Sequence, residues 1–123
     1  MRPSIDESIT FLPTADLAAT RRFYEEALGL KLRLDQGSCL IFELAPGQHI
    51  GFCAKDSAVA PPERIMITLV TQEVEAWYDH LLAQGLSPDG PPRLNPSYKI
   101  FHFFVADPSG YLVEVQRFED PRW

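Results

Sequence analysis

The order of elements along this chain repeats once. The pair Gly29-Leu30 recurs as Gly85-Leu86, 56 residues on, and the same offset carries Ile9 onto Ile65 and Asp16 onto Gln72. Each half reads strand, helix, strand, strand, strand. One helix covers only one face of one sheet, so neither half is complete alone and the two must pair. The expected organisation is a single domain over 1–123, built of a module at 5–57 and a module at 63–119. With 123 residues, roughly two-thirds of the unfolded surface can be buried. Hydrophobic residues at 46% and charged residues at 23% are the proportions of a globular fold and exclude a disordered tail or a coiled coil.

Helical periodicity occurs twice. Leu17, Phe23, Tyr24, Ala27 and Leu28 form one stripe, with Thr14 or Asp16 as N-cap and Gly29 as stop; Val74, Trp77, Tyr78, Leu81 and Leu82 form the other, ended by Gly85. Both aromatic pairs are expected in the core. Period-two segments predict strands over 8–12, 30–34, 39–44, 49–53, 64–70, 99–105 and 111–118, with a proline-restricted edge strand within 86–94. A break falls at Ala58 to Pro62, and Asp107, Pro108, Ser109 and Gly110 announce a turn between the last two strands.

Alternation sorts the faces. Phe101, Phe103 and Val105 belong under a helix with Val113 and Val115, which leaves His102, Phe104, Glu114 and Gln116 on the opposite face, Phe104 and Glu114 as neighbours. The fourth strand presents either His49, Gly51 and Cys53 or Ile50 and Phe52 to that face. A mostly apolar surface holding a few polar groups is a small-molecule site.

Other classes are excluded by charge and length. The formal net charge of −6 repels nucleic acid and acidic membranes, and no apolar run approaches the roughly 18 residues of a spanning helix. The first eight residues lack an apolar signal core, so the chain reads as cytoplasmic. Cys39 and Cys53 match no zinc spacing and are expected to be buried free thiols.

The paired halves, RRFYEEALGL at 21–30 and DPSGYLVEVQ at 107–116 together resemble the vicinal oxygen chelate superfamily, which includes glyoxalase I, extradiol dioxygenases, and fosfomycin and bleomycin resistance proteins. The resemblance covers nearly the whole chain. It implies an α+β fold of two βαβββ modules in a U-shaped mixed sheet with a concave ligand cleft, and a homodimer. Metal-dependent members take one ligand from the first and last strand of each module. Those positions map here onto Ile9, the neighbourhood of Gly51, Ile65 and Glu114, and only the last is a ligand type. One ligand in four does not hold a divalent ion, so no metal cofactor is expected. A rearranged set of His49, His102 and Glu114 is the weak metal candidate; His49, beside a Pro46-Gly47 turn, reads more simply as solvated, and His80 as surface.

The ligand-lining candidates are Ile9, Phe11, Phe52, Ile65, Ile67, His102, Phe104, Glu114 and Gln116. By resemblance to fosfomycin resistance proteins, the stretch holding His102 and Phe104 contacts substrate. Glu114 has two open readings: a carboxylate satisfied by Gln116, His102 or a neighbouring strand, or the polar anchor of a ligand. Arg93, Asn95, Tyr98 and Lys99 read as a solvated connection. The function expected is metal-independent binding of a small molecule, as in bleomycin resistance proteins, with the negative charge favouring cationic ligands. The alternative is a glyoxalase-like lyase or isomerase, or a dioxygenase, with a non-standard metal site around Glu114 or with Glu114 and His102 as an acid-base pair.

Overall fold

Asp16 starts the first helix. Its carboxylate accepts from the Ala19 amide at 2.9 Å, the arrangement a short acidic side chain favours at an N-cap. In the computed structural model, which describes residues 2–55 and 65–123, that helix (α1) is α-helical over Leu17–Arg21 and continues as a π-helix over Arg22–Ala27. The Leu28 amide closes it on the Phe23 carbonyl at 2.9 Å. The sequence pattern predicts a plain α-helix here. The wider i to i+5 turn instead places positions i, i+1, i+4 and i+5 on one face. Those are Phe23, Tyr24, Ala27 and Leu28, all four buried.

Four strands surround α1 in sequence: β1 (Ser8–Thr14), β2 (Lys31–Asp35), β3 (Cys39–Ala45) and β4 (Gln48–Ala54). They form a sheet of order β1-β4-β3-β2, with β1 parallel to β4. Tyr24 stacks on Phe52 at 4.5 Å and lies 5.7 Å from Phe42, so Phe52 and Ile50 face the helix. His49, Gly51 and Cys53 therefore share the open face, one of the two phases the sequence left possible.

The second unit repeats the plan with β5 (Met66–Val70), α2 (Val74–Ala83), β6 (Arg93–Asn95), β7 (Ile100–Ala106) and β8 (Leu112–Phe118), in sheet order β5-β8-β7-β6. Phe103, Val105, Val113 and Val115 are buried, and Tyr78 of α2 meets the Phe103 ring edge-on at 5.4 Å. Tyr78 and Trp77 are only half-buried, unlike Phe23 and Tyr24. The edge strand expected around 86–94 is reduced to the three-residue β6 after Pro92, and it takes in Arg93 and Asn95 of the stretch expected to be a solvated connection. The architecture is thus α+β, in two compact units, Met1–Ala60 and Pro61–Trp123. The expected break at Ala58 to Pro62, and Arg64 as the start of the fifth strand, lie outside the described residues. No helix among the described residues is long and apolar enough to cross a membrane.

The free-thiol expectation is overturned. Cys39 and Cys53 stand directly opposite each other on β3 and β4, with Cα atoms 4.1 Å apart, and are joined as a disulfide. They stand 14 positions apart in the chain, and it is the strand register, not a motif spacing, that brings them together.

Candidate functional site

The Asp107 to Gly110 turn sets the register of the second unit. The Asp107 carboxylate accepts from the amides of Ser109 and Tyr111 at 2.8 and 2.9 Å, and Gly110 takes a φ of 91° that other residues rarely adopt. With that turn fixed, Phe104 pairs with Glu114 and His102 with Gln116 across β7 and β8, while Thr68 of β5 lies beside Glu114. All five share the face turned away from α2.

Glu114 is the centre of this face. Its side chain is 9% exposed, and a carboxylate so far from water is costly unless its oxygens are occupied. Thr68 Oγ1 donates to Oε1 at 2.9 Å, and His102 Nδ1 lies 2.7 Å from Oε2. The pairing orients the imidazole, whose Nε2 has no partner among the described residues. The Phe104 ring sits edge-on to His102 at 5.0 Å, and the Arg93 guanidinium lies 5.9 Å above that ring. Asp89 locks this corner: its Oδ1 accepts from the Phe104 amide at 2.9 Å, and both its oxygens take Arg93. The Arg93 hydrogen bonds, then the Phe104 amide, hold the Asp89 carboxyl below the usual range against a desolvation that raises it.

The family model of the glyoxalase/bleomycin resistance protein/dioxygenase superfamily matches residues 7–115. The chain belongs to this superfamily. Solved structures of the superfamily fold align over almost its whole length. One is a glyoxalase/bleomycin resistance protein/dioxygenase from Nocardioides, with TM-score 0.79 and 22% identity over 98% of this chain and 87% of that one. A lactoylglutathione lyase from Agrobacterium tumefaciens gives 0.75 and 21%, over 97% of both chains. The bleomycin resistance determinant encoded on transposon Tn5 gives 0.75 and 19%, over 94% of this chain and 100% of that one. At these identities the likeness is one of fold. No curated protein matches the chain.

Superfamily members that use a metal need several ligating side chains together. Among the described residues no three His, Cys, Asp or Glu form such a group. Both Glu114 oxygens are engaged by Thr68 and His102, and His49 Nε2 is taken by Glu7 at 2.7 Å.

Placement of the remaining candidates is mixed. Gln116 shares the Glu114 face as expected, and Ile9 and Phe11 lie half-exposed on the open face of the first sheet. Phe52 does not: it is fully buried against Tyr24. Ile67 is likewise buried, in register with Val113 on the helix side, and Ile65 precedes β5. The β5 residues on the Glu114 face are Met66, Thr68 and Val70, because the repeat offset lands one residue out of phase and a single-residue slip reverses every side chain. Gly51 is where a ring needs room: a Cβ there would lie 2.5 Å from the Phe11 ring. His80 is exposed on α2, as expected. Thr68 and Glu7 are the polar partners that sequence reasoning missed. Thr68 is an ordinary strand residue until its register opposite Glu114 is known, and Glu7 precedes β1.

Proposed function

We propose that the chain binds a small organic molecule on the open face of the β5–β8 sheet, without a metal, in the manner of the bleomycin resistance proteins it is similar to. The observation that carries this reading is the buried Glu114 carboxylate, held by Thr68 and His102 beside Phe104 on a face that no helix of its own unit covers. A fixed carboxylate next to an aromatic ring suits a cationic, partly planar ligand, and the net charge of −6 favours the same sign. The reading includes a homodimer, the two units as modules of one domain, a cytosolic setting and a role in antibiotic resistance. In the cytosol the Cys39 and Cys53 pair meets a reducing thiol pool. Calorimetric titration with bleomycin in the presence of a chelator tests it. Saturable micromolar binding, weakened at least about tenfold by Glu114→Gln, is expected; no heat at micromolar protein overturns it.

A second reading, an acid-base enzyme, is favoured by the same pair. A carboxylate that fixes Nδ1 leaves Nε2 to take or give a proton. The probe is the hemithioacetal of methylglyoxal and glutathione. Turnover that falls about 100-fold in His102→Gln supports this reading, and no turnover, or turnover unchanged in that variant, removes it.

A further inference from the structure

The first unit carries a hollow of about 200 Å³ lined by Glu7, Ile9, Arg33, Leu34, Ile41 and His49. Its floor is apolar: Ile9, Ile41 and Leu34 belong to β1, β3 and β2, and Leu34 is in register with Ile41. Successive strand residues normally point to opposite faces, yet Arg33 and Leu34 both line the hollow. The cause is a break in the β2–β3 register, where Leu32 pairs with Phe42 and Leu34 with Ile41, so Arg33 is the extra residue of a bulge. A bulge re-aims a side chain, and here it adds a guanidinium to the rim of an apolar hollow.

That guanidinium makes no ion pair or hydrogen bond among the described residues, although Arg21, Arg93, Arg117 and Arg122 are all paired with carboxylates. The other charged group on the hollow is Glu7. Its Oε1 is held by His49 Nε2 at 2.7 Å, and its Oε2 has no partner among the described residues. His49 is itself buried, which fixes the pair in place, and its Nδ1 is buried without a partner. The hollow therefore offers one free carboxylate oxygen and one free guanidinium over an apolar floor. Its volume lies below the roughly 300–1,000 Å³ of drug-sized pockets, so the apolar part of its occupant is about the size of one side chain.

We infer that this hollow binds a small zwitterion with an aliphatic body, an apolar α-amino acid being the simplest case. Its carboxylate sits on Arg33, its ammonium on Glu7, and its side chain on Ile9, Leu34 and Ile41. The inference rests on residues of the first unit alone and not on the reading given for Glu114.

Leucine, isocaproate (the same body without the ammonium) and isoamylamine (without the carboxylate) are titrated into the full chain, with amide shifts of residues 7–11, 32–34 and 49 as readout. Leucine is expected to saturate those shifts with a dissociation constant of about 1 mM or below, and each analogue to bind at least about tenfold more weakly. Arg33→Gln and Glu7→Gln each weaken leucine about tenfold, while Glu114→Gln leaves it unchanged, which separates this inference from the proposed function. No saturation by about 10 mM leucine, equal binding of isocaproate or isoamylamine, or full affinity in Arg33→Gln would overturn it. The analogue comparison on the unmodified protein decides the matter even if a variant misfolds.

Discussion

Thr68 donates to a carboxylate that has almost no access to water, which makes one hydroxyl responsible for half of the satisfaction of Glu114. Thr68→Val keeps the shape and removes the donor. It is expected to lower unfolding free energy by about 1–3 kcal/mol in a urea titration, whereas Thr68→Ser stays close to the wild type. Phe11 and Gly51 are coupled by contact rather than by polarity. Gly51→Ala drives a methyl into the Phe11 ring and is expected to cost about 1–3 kcal/mol; in a Phe11→Ala background most of that cost disappears, a non-additivity that a double-mutant cycle reads directly. Much of this scale was legible in the chain. His102, Phe104, Glu114 and Gln116 fall on one face because a turn of recognisable chemistry sits between two strands of clean alternation. Phe52 and Ile67 fall on the helix side instead, because the phase of β4 was open by one residue and the repeat offset carries β1 onto β5 one residue out of phase, and a single-residue slip reverses every side chain.

The β6 and β7 strands are held to their flanking loop by Asp89, which accepts both from Arg93 and from the Phe104 amide. Because its carboxyl is held below the value it has in the unfolded chain, its contribution is complete above the unfolded value of about 3.9 and is lost as pH falls through the lowered folded value. Melting curves between about pH 5 and pH 2 are therefore expected to fall more steeply for the wild type than for Asp89→Asn, the two converging at the acid end. Parallel slopes would show that Asp89 is not a source of the acid sensitivity. The β3–β4 pair has a covalent tie of its own. Closing a loop of this size contributes about 3 kcal/mol in the chain-entropy account, and Cys39→Ser is expected to lower the urea midpoint to that of the reduced wild type. Seven of the eight strands were legible as elements from alternation and turn residues; β6, at Arg93–Asn95, runs into the stretch that reads in the sequence as a solvated connection. The π-helical turn, the Arg33 bulge and the disulfide were not, since each depends on which residue a neighbouring strand or turn presents.

At the scale of the molecule, the 56-residue repeat reads through to two units of the same strand order. The homodimer of the proposed reading has its own test: sedimentation at low micromolar concentration is expected to give twice the monomer mass, and a monomer there removes the homodimer from the reading. In each unit the first strand lies parallel to the last, Ser8 beside Gln48 and Met66 beside Leu112. Hairpins such as β7–β8 can form from neighbouring residues, but these closures must bridge some 40 residues and carry a loop-entropy cost before any contact rewards it. Such a plan governs the order of events during synthesis. Every strand partner of the first sheet has been synthesised once Ala54 is added, before a single strand of the second has been made, so the two halves can acquire their hydrogen bonds one after the other instead of competing for each other's edges.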